Sequence, residues 1–453
     1  MLPSVGRVRR VPVGRDRTFV LRAVVGCIAL FAFPRAAHAR NYYIDSRAGD
    51  DSSSGTAPGL AWRSLNNLGA RSFMPGDSIL FACGSNFTGG FVFRISGTTP
   101  RPIIFTAYGT GRLPAFSNPD WSVLHGNVFR IEGSHIVVEH LYFHDNTNPP
   151  TADNNHHDVQ SMGVVYLGLR ADSNVVSDCE FVRSPVGIKV KGRHNVITRN
   201  YLHDAATAMG RTWGPIAIMI VSPYNEISYN RIMNYGYYGG AYGSDGGAIE
   251  LDGVDDAFDG RGIDIHHNTS VGNHGFLELA GKETDSITVA YNLSDDVDKF
   301  IGGGMMKNTF VLNNTVIRTR EPNIDRWVFW TFYPEGTSLV VTNNIFVLPK
   351  DIQVFAPARK MAGHHRTGVG DQVHTHNLYF AAAGNADPIG LPLAQGELIA
   401  EPLFAAPERE DFQLQFNSPA RKGGVRLGYV RDLIGQALPM AGPPDMGAYQ
   451  FQQ

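Results

Sequence analysis

Two short apolar segments carry a glutamate at the same place: Ala248-Ile-Glu250-Leu-Asp252 and Phe276-Leu-Glu278-Leu-Ala280. Paired carboxylates support two kinds of chemistry. Held about 5 Å apart, they match the acid and nucleophile of a retaining glycosidase. Brought that close with no shared proton they repel, and a cation between them relieves the repulsion. Asp252 shares the segment of Glu250 and opens the run Asp252-Gly-Val-Asp255-Asp256-Ala-Phe-Asp259, with four Asp in eight residues. Such oxygen-rich clusters suit Ca²⁺, which takes about six to eight oxygen ligands. An acidic turn facing solvent is the plain alternative. The candidate metal ligands are therefore Glu250, Asp252, Asp255, Asp256, Asp259 and Glu278. Lysines lie nearby: Lys189 and Lys191, Lys282 four residues after Glu278, then Lys299 and Lys307. Beside a metal and other cations a lysine can lose its proton and act as a base.

These residues can cooperate only if the chain stacks them. A β-branched strand ending in Asn and an apolar pair recurs at Asn200, Asn230, Asn268, Asn292, Asn314 and Asn344, with His140, Asp178 and Asn377 in equivalent places. The steps from Asp178 are 22, 30, 38, 24, 22, 30 and 33 residues, a short unit plus loops. Upstream of each Asn lies a strand with alternating apolar positions, as in Gly187-Ile-Lys-Val-Lys191 and Ala217-Ile-Met-Ile-Val221. Two or three short strands per unit, repeated many times, make a solenoid. Asn side chains stacked in a bend form hydrogen-bonded ladders, and Asn tolerates the left-handed backbone expected there. The fold expected is an all-β parallel β-helix.

Aligning the upstream strands puts Ile188, Ile218, Ile249, Leu277, Ile301 and Phe329 in one inward column. The outward column is then Lys189, Met219, Glu250, Glu278, Gly302 and Trp330, flanked by Lys191 and Asp252. Insertions at Asn146–Met162, His203–Pro215 and Met233–Gly247 would wall this face with His157, Arg211, Trp213, Tyr238 and Tyr242. Aromatic rings beside polar groups suit sugar stacking, although such loops also pack on their own scaffold. The candidate substrate contacts are Lys189, Lys191, Arg211, Trp213, Tyr238, Tyr242, His157, Lys307 and Trp330. His266-His267 is not expected to share a metal, since strand neighbours face opposite ways.

The start (Asn41-Tyr-Tyr-Ile-Asp45 through Pro75-Gly-Asp77), the Asn repeats, and the end (Asn417-Ser-Pro-Ala and Pro444-Asp445-Met-Gly447-Ala-Tyr449) resemble the secreted right-handed parallel β-helix proteins of the pectate-lyase-like superfamily. The resemblance implies a right-handed solenoid with an N-terminal cap at 40–110, repeats at 111–380 and an irregular C-terminal capping segment at 381–453. It also implies calcium-assisted β-elimination on an acidic, uronate-containing polysaccharide. Asp255, Asp256 and Asp259 are similar to the calcium-binding Asp arrangement of one pectate lyase family. By the same likeness Lys282 is the base that takes the uronate C5 proton, beside Glu250 and Glu278. The alternatives are a glycoside hydrolase using paired Glu250 and Glu278, and a non-catalytic carbohydrate-binding or surface solenoid.

Composition bounds the rest. The chain has 453 residues, 39 Lys and Arg against 42 Asp and Glu, and three Cys. A disulfide scaffold is excluded, and a net charge of -3 argues against a nucleic-acid binder. Residues 1–39 read as an export signal, with clustered Arg, a short apolar run and Ala37-His38-Ala39 as the cleavage site. The expectation is a secreted or periplasmic monomer with no membrane span, and with Cys83 and Cys179 buried and unpaired.

Overall fold

The computed structural model describes residues 39–146, 160–205, 213–238, 244–252, 258–280, 283–321, 327–333, 335–356, 359–360, 366–367, 370–381 and 384–452. Three long sheets of 10, 12 and 12 strands run through them. Each coil gives one strand to each sheet. A representative coil runs Val186–Val190 in the first sheet, Val196–Thr198 in the second and Tyr201–Ala205 in the third, then re-enters the first at Ile216–Ile220. Pairing between coils is parallel throughout these three sheets. The fold is a right-handed parallel β-helix.

Period-two alternation builds the interior. Ile188, Ile218, Ile249, Leu277, Ile301 and Phe329 pair in one register on the first sheet, and all are buried. Aromatic rings fill the N-terminal coils, where Phe116, Phe129, Phe143 and Phe181 meet at centroid distances of 4.8–5.5 Å. Asn41–Ile44 pairs with Ser78–Ala82, and buried Trp62 stacks on Tyr42 beside it. At the other end Ile389 joins the core. The segment that follows does more than cover an end. Its hairpin, Phe404–Ala406 with Asp411–Leu414, packs against Leu293, Ile317, Ile345 and Leu378 of the third sheet.

The Asn ladder runs along the corner between the second and third sheets. Each Asn Oδ1 accepts from the preceding rung, and each Nδ2 donates to the next, at 2.9–3.0 Å from Asn200 through Asn230, Asn268, Asn292, Asn314 and Asn344 to Asn377. Glu397 ends the series: it accepts from Asn377 Nδ2 (2.8 Å), Tyr379 Oη (2.7 Å) and the Ala394 amide (2.8 Å). The bend differs from expectation. The left-handed residue is the one before each ladder Asn, namely Arg199, Tyr229, His267, Tyr291, Asn313, Asn343 and His376, with φ of 52–63°. His140 and Asp178 are such bend residues, at φ 55° and 53°. The ladder place in their coils therefore falls to Leu141 and Cys179, and the Cys179 amide donates to Asn200 Oδ1 at 3.1 Å. The ladder thus uses Asn for its amide, not for its backbone tolerance.

Asn292→Ala strands the amides and carbonyls that its side chain serves. About 1–3 kcal/mol per stranded group is expected, read as a lower guanidinium midpoint. An unchanged midpoint would show that water satisfies the corner as well as Asn does.

Two further expectations are corrected. Cys83 is only partly buried, while Cys179 is buried; neither is in a disulfide. His266 and His267 do not face apart, because His267 sits in the bend and brings the two Nδ1 atoms to 2.8 Å. No group of three His, Cys, Asp or Glu among the described residues is placed to hold a metal there or elsewhere. Among the described residues no helix is long and apolar enough to cross a membrane.

Candidate active site

The first sheet sets the column. Lys189 pairs with Met219, Met219 with Glu250, Glu250 with Glu278, Glu278 with Gly302, and Gly302 with Trp330. Adjacent strands lie about 4.8 Å apart, so Glu250 and Glu278 occupy neighbouring rungs on one face.

This face is more closed than an exposed groove. Lys189 is 0% and Glu250 and Asp252 are each 4% exposed. Gln160 reaches across from the preceding loop: Lys189 Nζ donates to its Oε1 at 2.7 Å, and its Nε2 donates to Asp252 Oδ2 at 2.8 Å. Lys189 also touches the Met219 sulfur. Burial brings the Lys189 ammonium down to about 7, against the opposing pull of Asp252 and Glu250. Lys189 is thus an internal cation and not a surface contact for substrate. Its link to Asp252 escapes sequence reasoning, because Gln160 lies 92 residues from its partner.

Glu250 is perturbed as well. Burial lifts its carboxyl well above the usual carboxylate range, and the charges of Asp252, Glu278 and Asp245 push it further. Glu278 is more open, with its side chain 24% exposed, and its Oε2 lies 3.0 Å from Lys299 Nζ. Lys299 is itself buried. Asp245 completes the group. Its Oδ2 accepts from the Gly214 amide at 3.0 Å, and burial with the charge of Glu278 raises its carboxyl to about 6.

Behind these groups stands a buried chain of polar groups around one ion pair. Arg318 Nη2 meets Asp298 Oδ1 at 3.2 Å, His274 Nε2 meets Asp298 Oδ2 at 3.3 Å, and His274 Nδ1 lies 3.1 Å from the Gly246 carbonyl. It ties the segment carrying Asp245 to the segment carrying Lys299, so both flank Glu278. These partners come from four separate coils, and no local motif marks them.

Beyond Glu278, at Gly302, Trp330 and the stem of Lys299 take the space of a side chain. A Cβ there would meet Trp330 Nε1 at 2.6 Å and Lys299 Cδ at 2.8 Å. Trp330 leans edge-on against Phe332 at 4.9 Å. Tyr238 is 43% exposed and stands 5.8 Å from the His274 ring. Burial and the charges of Asp298 and Asp296 push its phenol up to about 12. Trp330 thus stands two rungs from Glu278 in the column, and Tyr238 beside His274.

Other expected residues fall elsewhere. Trp213 packs on Met162, Val186, Ile216 and Met219, so it serves the scaffold. Lys307 lies on a small separate sheet with Glu283–Asp285 and is ion-paired to Glu283 at 2.9 Å, away from the column. Asp259 is clasped by Arg261 at 2.8 and 2.7 Å, which takes both its oxygens. Lys191 follows Lys189 just past the strand end and is partly exposed. His157, Arg211, Tyr242, Asp255, Asp256 and Lys282 lie outside the described residues.

The calcium reading meets a mixed donor set. Within the described face, Lys299 occupies one oxygen of Glu278 and Gln160 one of Asp252. Four carboxylates (Asp245, Glu250, Asp252 and Glu278) nevertheless face two ammoniums (Lys189 and Lys299), a formal excess of two negative charges when all are ionised, which a proton on Glu250 lowers. Two protons or one divalent cation would balance it.

Asp245 gives a pH test. Its unfolded carboxyl ionises near about 3.9 and its folded one near about 6, so the native state binds the extra proton between those values. Stability from this group is therefore lost as pH rises through that window. Asp245→Asn should leave the unfolding midpoint unchanged near pH 4 and raise it at pH 7. A gain of equal size at both pH values would remove the titration as its cause.

No family model matches the sequence, and no curated protein is similar to it. Solved structures are similar at low identity. A PL6 family alginate lyase is 15% identical at a TM-score of 0.46, over 74% of this chain and 48% of that one, so the match spans about half the length of that lyase. XylC, solved in complex with xylose, is 11% identical at 0.49, over 91% and 98% of the two chains. A GH136 lacto-N-biosidase from Eubacterium ramulus is 15% identical at 0.41, over 80% and 67%. What decides the fold is the coil itself, with one parallel strand in each of three sheets per turn. The fold is a parallel β-helix, shared with these structures. Such a β-helix presents its outward columns as flat faces of parallel strands, and here one of them collects the perturbed carboxylates.

Proposed function

We propose that the chain is a polysaccharide-cleaving enzyme in which Glu250 and Glu278 divide the work. The observation that carries this reading is their difference on neighbouring rungs: Glu250 is buried and pushed towards the protonated form, while Glu278 is open on one side and ion-paired to Lys299 on the other. A buried carboxyl held towards its protonated form beside an open, ion-paired one supplies an acid and its complement. In hydrolysis Glu250 gives its proton to the glycosidic oxygen as that bond breaks. Glu278 attacks the anomeric carbon and forms a glycosyl ester. Water, losing its proton to the Glu250 carboxylate, then cleaves the ester and frees Glu278. A face with excess negative charge favours a neutral glycan over a polyuronate.

The charge excess also supports a second reading: calcium-assisted β-elimination on a uronate polysaccharide. No three described carboxylates converge on an ion, so this reading needs Asp255 and Asp256 to complete a site with Glu250, Asp252 and Glu278, and Lys282 would be the base. Bound calcium supplies neutralisation of the uronate carboxylate, which acidifies the C5 proton.

One experiment separates them. Neutral and uronate polysaccharides are incubated with the purified protein, with calcium and with chelator, while ultraviolet absorbance and reducing ends are followed. New reducing ends that survive the chelator, without absorbance, support hydrolysis. A calcium-dependent rise in absorbance reports a conjugated C=C bond and overturns hydrolysis in favour of elimination. Neither signal on any polymer overturns both.

A further inference from the structure

The third sheet carries another hollow, on a different face from the Glu250 column. One outward column there runs in register through Asn86, Ala115, Tyr142, Glu180, Tyr201 and Arg231. Ala115 stops at Cβ, so the column dips between Asn86 and Tyr142. The dip opens into a cavity of about 560 Å³ bordered by Asn86, Arg112, Tyr142, His144 and Glu180. That volume lies within the range of small-ligand sites, about 300–1,000 Å³.

The walls are fixed in place. The sequence repeats itself as Tyr142-Phe-His144-Asp145 and Tyr201-Leu-His203-Asp204, and the two copies stand two coils apart in the same columns. In each copy the tyrosine stacks on the imidazole, at 5.3 and 4.1 Å. In each copy the Asp holds Nδ1, at 2.9 and 2.8 Å. His203 Nε2 reaches Glu180 Oε1 at 3.2 Å, and Arg183 grips Asp145. Most charges on this face therefore compensate one another. What the hollow offers a ligand is an aromatic wall, hydrogen-bonding groups of both kinds and the guanidinium of Arg112. A pyranose ring matches that set: its hydroxyls meet polar groups and its C–H face meets an aromatic ring.

We infer that this hollow is a second saccharide-binding site, which holds a part of the polysaccharide that does not react. It would raise the affinity for long chains over short ones by engaging two sites at once.

The test reads binding, independently of turnover. The protein and its Ala115→Trp variant, which fills the dip, are run in native gels containing xylan, polygalacturonate or alginate, and retardation gives the affinity. Tyr142→Ala serves as a second variant, and circular dichroism checks that each folds. The expected result is a loss of about tenfold or more in affinity for at least one polymer in both variants, with cleavage of a tetrasaccharide unchanged. Loss with xylan assigns a neutral sugar; loss confined to the uronate polymers assigns a carboxylate paired with Arg112. Retardation equal to the parent, or none in any gel, overturns the proposal. Loss of retardation in a protein that cleaves nothing would fault the Glu250/Glu278 reading and leave this one standing.

Discussion

Glu278→Gln is expected to lower polysaccharide cleavage by about 10³-fold or more, with the fold intact. The amide keeps the shape of the side chain and removes only the charge. That charge is needed twice in the hydrolytic reading: once to attack the anomeric carbon, and once as the partner of Lys299 at 3.0 Å. The structural cost should be modest, because the side chain is partly open to water and Asp245 remains nearby. Glu250→Gln makes the complementary test. An acid must be protonated to act, so the parent loses activity on the alkaline side as Glu250 ionises. The amide should remove that limb of the profile together with most of the rate on substrates with poor leaving groups. Full activity in either variant would move the chemistry off this face.

Asp298→Ala should produce the largest loss of stability, about 3–5 kcal/mol. Arg318 is fully buried, and its guanidinium meets Asp298 at 3.2 Å. Removing the carboxylate leaves a cation inside the solenoid and frees His274, which faces the same group at 3.3 Å. The control is the double change Asp298→Ala with Arg318→Met, which removes the stranded charge and should recover most of the loss. Guanidinium midpoints of the four proteins close the cycle. If the double variant is as unstable as the single one, packing and not charge sets the cost. A solenoid spreads such damage mainly to neighbouring coils, so hydrogen exchange should rise first around residues 274–318.

The fold was legible because its rule is local and repeated. Alternation in strands such as Ala217–Val221 and the recurring Asn are readable one coil at a time, and they fix the register that sets Glu250 beside Glu278. What escaped is what closes the face. Gln160 bridges Lys189 and Asp252 from a loop, Lys299 reaches back one coil to Glu278, and Arg318 and His274 meet on Asp298. None of these pairs has a fixed sequence spacing, because the loops between coils vary in length. The same variation explains Lys307 and Asp259, which alternation cannot follow past a turn and which end in surface ion pairs. The one-residue error in the bend has a simpler cause: the sequence marks the conserved chemistry of the amide, while the left-handed backbone is taken by Arg, Tyr, His or Asn without preference.

The Asn corner has a polarity. Every Oδ1 looks back towards the N-terminal coils and every ladder Nδ2 donates forward, so seven amide dipoles add along the solenoid axis. Their positive end arrives at Asn377, and there the chain places the carboxylate of Glu397. This is the electrostatics of an anion at a helix N-terminus, transferred to a stack of side chains. It also closes the ladder. A further coil, or a second copy of the chain, would have to offer donors to a carboxylate whose oxygens already take the Asn377 amide, the Tyr379 hydroxyl, the Ala394 N–H and the His374 ring. A ladder that could pass its donors to a further rung ends on one carboxylate.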